Sequence, residues 1–224
     1  MVPQAPASIT PCTRGFVMSV SVTYDPIFGS STISDYLAFW ATGFDTGGHG
    51  YTNTGGFNGG NGLLEGDQYA AIGSLGSDYA FVASSNASDG LHYVYDTFLH
   101  PSDNANHYLW GQLDNISLGE VLGGGWGSDF SLSNYVVTFS GLDLSAAFGA
   151  GRVGNEVHET IFGLMQGDTA PLESVLDDLF AAYGVSTDDT FDVVAAALAA
   201  GPLSTGSAET VGVPELADDL ALAA

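Results

Sequence analysis

The hydrophobic period of this chain changes past its middle, and that change limits the architectures open to it. In segments 19–24, 68–72, 79–83, 91–98, 108–114 and 135–139, apolar and polar residues alternate over short runs. A two-residue period sends successive side chains to opposite faces, so these runs predict strands of an antiparallel sheet. From residue 157 onward the period lengthens. Val157, Ile161, Leu164 and Met165 share one helical face, and Pro171 opens a second stripe of Leu172, Val175, Leu176, Leu179, Phe180 and Tyr183 before Gly184 stops it. A third helix is expected over about 190–200. One early helix interrupts the strands: Thr32 begins a T-x-x-D start, and Ile33, Tyr36, Leu37 and Trp40 follow at helical spacing until about Gly43. Strands first and helices later predict an α+β fold, a curved antiparallel sheet with helices packed on one face.

Between 43 and 66 there are ten glycines in 24 residues, which predicts a long loop region that must be held from outside. No internal repeat is present. At 224 residues the chain can bury one substantial core. The formal net charge is −24, with Arg14 and Arg152 as the only fixed cations. Such a surface repels phosphate backbones and anionic bilayers, so nucleic-acid partners are excluded. Hydrophobic residues nevertheless make up 45% and charged residues only 12%, so the acidity does not imply disorder. The longest small apolar run, 193–200, is far short of the ~20 residues that span a bilayer, so no membrane insertion is expected. The single cysteine, Cys12, leaves no disulfide framework and no thiolate metal site.

The chemistry concentrates in two neighbouring stretches, Leu91-His92-Tyr93-Val94-Tyr95 and His107-Tyr108-Leu109-Trp110-Gly111-Gln112-Leu113-Asp114. A phenol binds metal only when it loses or shares a proton whose reference pKa is ~10. A nearby imidazole can take that proton, and ferric haem accepts a tyrosine axial ligand. On its own, a strand tyrosine is more often structural. His92 should face away from Tyr93 across the strand and lie exposed. His158-Glu159 lacks the second histidine of a zinc-protease helix, because Phe162 stands there. No G-x-S-x-G elbow occurs, and the glycine-rich region has no phosphate-loop lysine, so an enzyme is not expected. A zinc-binding protein or metalloenzyme using His92, His100 and His107 is the alternative from a different class; a ligand-free exported surface module is another.

The two stretches resemble the tyrosine loop of the secreted bacterial haemophores, the HasA-type haem-acquisition proteins. The resemblance continues through Met18-Ser19-Val20-Ser21-Val22-Thr23-Tyr24, Asp35-Tyr36-Leu37-Ala38-Phe39-Trp40, Asn53-Thr54-Gly55-Gly56-Phe57-Asn58, Gln68-Tyr69-Ala70, Gly163-Leu164-Met165-Gln166-Gly167-Asp168 and the terminal Asp219-Leu220-Ala221-Leu222-Ala223-Ala224. It implies an extracellular carrier that binds one ferric haem b per chain between two loops and delivers it to an outer-membrane receptor. Host haem proteins would be the haem source. Tyr93 falls where the family's tyrosinate lies, and His49 falls in its histidine loop as a second axial ligand. His107 matches the proton partner of Tyr93, with His100 as a rival because the loop between Tyr93 and His107 is longer than the family pattern. Phe98, Phe162 and Met165 would line the haem pocket, although core packing would explain those positions equally well. The resemblance also implies export by a type I ABC machine that reads residues 202–224, leaving 18–201 as the haemophore domain. Residues 1–17 would be a disordered extension or a mis-assigned start, since they contain no apolar signal-peptide core.

Overall fold

A computed structural model describes residues 20–44, 55–59, 64–74 and 76–203. Among these residues eight antiparallel strands form one sheet: β1 (Ser21–Tyr24), β2 (Gly56–Phe57), β3 (Glu65–Gly66), β4 (Gln68–Ile72), β5 (Tyr79–Ser84), β6 (Leu91–Val94), β7 (Tyr108–Gly125) and β8 (Ser128–Ala146). Their hydrogen-bonded order is β1-β8-β7-β5-β4-β2, with β6 also paired to β7 and β3 to β6. Four α-helices lie among the described residues: α1 (Ile33–Ala41), α2 (Glu156–Met165), α3 (Ala170–Phe180) and α4 (Phe191–Ala200). The expected α+β class and all four expected helices are present.

The β7–β8 hairpin is the spine, and it is far longer than the alternating segments 108–114 and 135–139. Its register slips between Leu113 and Asn115, between Leu118 and Glu120, and between Gly123 and Gly125. Each bulge inserts a residue, bends the strand and breaks the two-residue period by which a strand is recognised. The bend also carries the hairpin tip toward β2 and β4. There the Gly127 amide donates to the Asn58 carbonyl at 2.7 Å, and the Gln68 carboxamide exchanges two hydrogen bonds with the Phe130 backbone.

Alternate residues of the strands supply one side of the core: Phe81 and Ala83 from β5, Ile116 and Leu118 from β7, Val137 and Phe139 from β8. Ile33, Leu37 and Trp40 of α1 join them, as do Val157, Ile161 and Leu164 of α2, Leu172, Leu176 and Phe180 of α3, and Phe191 and Val194 of α4. The first and last helices start side by side. Their N-caps, Thr32 and Thr190, form an isolated bridge and accept from the Asp35 and Val193 amides respectively. That junction satisfies amides that helix starts leave unpaired.

The strand expected over 91–98 ends at Val94. Beyond it the chain turns sharply, as the Asp96 carboxylate accepts the Phe98 amide at 2.8 Å. Residues 95–107 form a long connection between two strands that pair directly at Val94 and Tyr108.

Candidate functional site: a tyrosine–histidine pair in an apolar cavity

β6 is the shortest strand paired to β7, and it carries Tyr93. Its other edge is held by β3, where the Tyr93 amide donates to the Leu64 carbonyl at 2.8 Å. Gly111 lies opposite Leu91 in the ladder at φ +109°, and a Cβ there would collide with the Gly90 carbonyl. Only glycine permits so close an approach. β6 therefore lies tightly against β7, which fixes where the Tyr93 ring emerges.

The ring emerges into a cavity of about 590 Å³. Gly55, Gly56, Phe57, Leu64 and Tyr69 form one wall, and His158, Phe162 and Met165 of α2 form another. Tyr93, His107 and Leu109 lie between them, with Pro101 and Arg152 completing the lining. The lining is mostly apolar with a few convergent polar groups, the usual character of a ligand site.

Tyr93 and His107 meet inside this cavity. The Tyr93 hydroxyl lies 2.6 Å from His107 Nδ1, so the phenol donates when the imidazole carries its proton on Nε2. Tyr93 is half-buried. Burial raises its pKa above the usual tyrosine value, Tyr95 adds to that, and the Arg152 guanidinium opposes it. Without a metal the phenol keeps its proton, and an acceptor for it stands at hydrogen-bond distance. His107 adopts φ +56°, unusual for a side chain with a Cβ, and Tyr95 packs against its imidazole with centroids 5.0 Å apart.

Three further groups shape the walls. Tyr69 is buried and donates to Met165 Sδ at 3.2 Å, which fixes the thioether against the β4 wall. The His158 ring stacks on Phe162 at 5.2 Å, and its Nδ1 accepts the Leu109 amide at 3.4 Å. Arg152 donates from Nη2 to the Asp103 carbonyl at 2.9 Å, and its backbone amide is held by Asn104. Among the described residues Arg152 pairs with no carboxylate.

Of the residues singled out from sequence, Tyr93, His107, Phe162 and Met165 share the cavity. Phe98 does not line it. Its side chain is 96% exposed, because the turn capped by Asp96 directs it outward. His100 is engaged with Ser102, whose Oγ lies 2.6 Å from Nδ1, and it is His107 that Tyr93 contacts. His92 is not the exposed residue expected: its side chain is only 13% exposed, stacks on Trp110 at 4.1 Å and lies 3.2 Å from the Glu65 carboxylate. His49 lies outside the described residues, as do 1–17 and 204–224. Among the described residues no three His, Cys, Asp or Glu side chains gather as a metal-ion group, so His92, His100 and His107 form no zinc cluster. No described helix is long and apolar enough to cross a membrane.

Sequence reading missed Tyr69, Leu109, Arg152 and His158 as parts of the cavity. The rarity of arginine in so acidic a chain was the one available signal, and it pointed to Arg152.

Comparison with known proteins gives concordant results. The family model for Heme-binding protein A (HasA) matches residues 18–224. Hemophore HasA of Serratia marcescens is 41% identical over 197 residues, covering 86% of this chain and 98% of that protein. Among solved structures, the apo form of hemophore HasA from Yersinia pestis matches with a TM-score of 0.62 at 27% identity, covering 78% of this chain and 94% of that one. The holo form from the same organism matches with a TM-score of 0.62 at 27% identity, covering 78% and 95%.

Proposed function

Because this chain belongs to the HasA family of haem-binding proteins, a family of haem carriers and not of enzymes, we propose that it is a secreted haemophore that holds one ferric haem b per chain against the Tyr93–His107 wall. The observation that carries this reading is the 2.6 Å Tyr93–His107 contact inside an apolar cavity. The residues suit the group: one anionic oxygen donor in reach, a proton acceptor behind it, and apolar walls formed by Phe57, Leu64, Leu109, Phe162 and Met165.

Ferric haem, when bound, would supply a Lewis-acidic iron that a tyrosinate oxygen can hold. The rest is the work of the chain. Tyr93 would hold the group through its phenolate oxygen, and His107 Nδ1, already at hydrogen-bond distance, would accept the phenol proton. The resulting imidazolium would stabilise the phenolate it faces. Arg152 offers its guanidinium to the carboxylate substituents of the ligand. His49 would be the second residue to hold the iron in this reading. In this reading the chain hands the ligand to an outer-membrane receptor. Residues 202–224 serve as the address read by a type I ABC exporter, with 18–201 as the haemophore domain and 1–17 as an extension. Host haem proteins supply the haem.

Hemin titration of the full chain, followed by its Soret band, tests the reading. Saturation at one equivalent is expected. Tyr93→Ala should weaken binding by more than the roughly 10- to 100-fold typical of outer-shell partners, and by more than His49→Ala. The imidazole is a neutral donor, whereas the phenolate offsets charge on ferric iron. An equal or larger loss for His49→Ala would reverse the ranking, and absence of a bound Soret band in the unaltered chain would overturn the proposal.

A further inference from the structure

Next to the Tyr93–His107 contact, in sequence, stands a buried residue that does not line the cavity. Asn106 is 1% exposed, yet it sits in the long connection between β6 and β7. Its carboxamide is fully used. Oδ1 accepts the Asp96 amide at 2.8 Å and the His107 amide at 3.0 Å, while Nδ2 donates to the Asp96 carbonyl at 2.9 Å and the Leu99 carbonyl at 3.3 Å. An asparagine side chain has two acceptor sites and two donors, and all four are engaged.

The pattern has a structural logic. Val94 and Tyr108 are the last backbone pair of the β6–β7 ladder. Past them His107 turns to φ +56° and its backbone leaves the ladder. The Asn106 carboxamide, which has the shape and polarity of a peptide group, exchanges one bond each way with Asp96 as a backbone rung would. It extends the hairpin by one rung made from a side chain. The same Oδ1 fixes the His107 amide, and so holds the left-handed conformation from which the imidazole reaches Tyr93. That conformation is strained for a residue with a Cβ, so it persists only where neighbours impose it.

We propose that Asn106 is the positioning residue of the site: it sets the His107 backbone so that Nδ1 faces the Tyr93 hydroxyl, and through that contact it controls how tightly Tyr93 holds haem. The second half rests on the haem-carrier reading; the first does not. No other side chain of similar size can do this. Aspartate loses both donors and turns a carboxylate oxygen toward the Asp96 and Leu99 carbonyls, a repulsion that drives the side chain from its place, and alanine loses all four bonds.

The test uses full-length Asn106→Ala and Asn106→Asp, His107→Ala, and both double variants. In the ligand-free proteins, nuclear Overhauser contacts between the Tyr93 and His107 rings report the geometry. They should be present in the unaltered chain and lost in both Asn106 variants, while contacts of the Trp40 ring with Phe81 persist and show that the core is intact. Persistence of the Tyr93–His107 contacts in both variants would overturn the proposal, whatever hemin does. In the hemin-loaded proteins, each Asn106 variant should release hemin about 10-fold faster, and no faster once His107 is already alanine. That non-additivity is the signature of acting through His107. An equal acceleration in the His107→Ala background would show a general loosening of the loop and refute the positioning role. Should Asn106→Ala lose the core contacts, the isosteric Asn106→Asp decides the question by the same two readouts.

Discussion

Arg152 is the residue whose situation is least explained by folding. The chain has 26 acidic side chains, yet this guanidinium lines the cavity with no carboxylate partner among the described residues and one hydrogen bond to a carbonyl. Its backbone is pinned by Asn104, whose Oδ1 accepts the Arg152 and Val153 amides at 3.1 and 2.9 Å. The position is therefore fixed while the charge stays available. If it receives a ligand carboxylate, Arg152→Ala should weaken hemin binding by about 1 kcal/mol, the scale of a partly exposed ion pair. The same substitution should leave hemin dimethyl ester unaffected, because the ester has no carboxylate to lose. Comparing the two ligands by titration separates this effect from any damage to the cavity. Equal weakening for acid and ester would exclude the carboxylate role.

At the scale of elements, the helices were legible because their signals are local: Thr32 and Thr190 cap, Pro171 starts, and the apolar stripes recur at helical spacing. The β7–β8 hairpin was legible only in part, since its bulges shift the period at Leu113/Asn115 and Leu118/Glu120. The site divides the same way. Tyr93 and His107 stand in recognisable surroundings, whereas Phe98 was misjudged because a single Asx turn decides which way it points. The Tyr69–Met165 contact joins residues 96 apart, and no periodicity encodes it. The β6–β7 pairing beside the site yields a prediction of its own. Gly111→Ala places a Cβ against the Gly90 carbonyl at a φ that alanine resists. It should destabilise the fold by about 1–3 kcal/mol and weaken hemin binding by displacing β6. Urea unfolding and hemin titration of the variant measure both. Unchanged stability would mean that β6 and β7 can separate at no cost, contrary to the tight packing on which the placement of Tyr93 relies.

Across the whole molecule, burial of phenols links stability to alkaline pH. Tyr36 and Tyr69 are both well buried, and burial is the main cause that raises the pKa of each above the usual tyrosine value; Tyr93 is raised for the same reason. In the unfolded chain these phenols ionise near pH ~10. Above that pH the unfolded state sheds protons that the folded state still binds, so unfolding gains free energy. The stabilisation from neutral buried phenols is thus complete below pH ~10 and is lost as pH climbs toward the raised folded values, on the order of 1 kcal/mol per pH unit for Tyr36 and Tyr69 and less for the half-exposed Tyr93. Tyr36 is the informative test. Among the described residues its hydroxyl is buried without a hydrogen-bond partner, whereas Tyr69 donates to Met165. Tyr36→Phe removes an unpaired polar atom and a titrating group together, so it should be neutral or stabilising at pH 7 and should flatten the decline above pH 10. Urea midpoints measured by circular dichroism from pH 8 to pH 11 report both effects. A substitution that lowers stability at pH 7, or a decline as steep in Tyr36→Phe as in the unaltered chain, would show that this ring is not the buried neutral phenol its surroundings require.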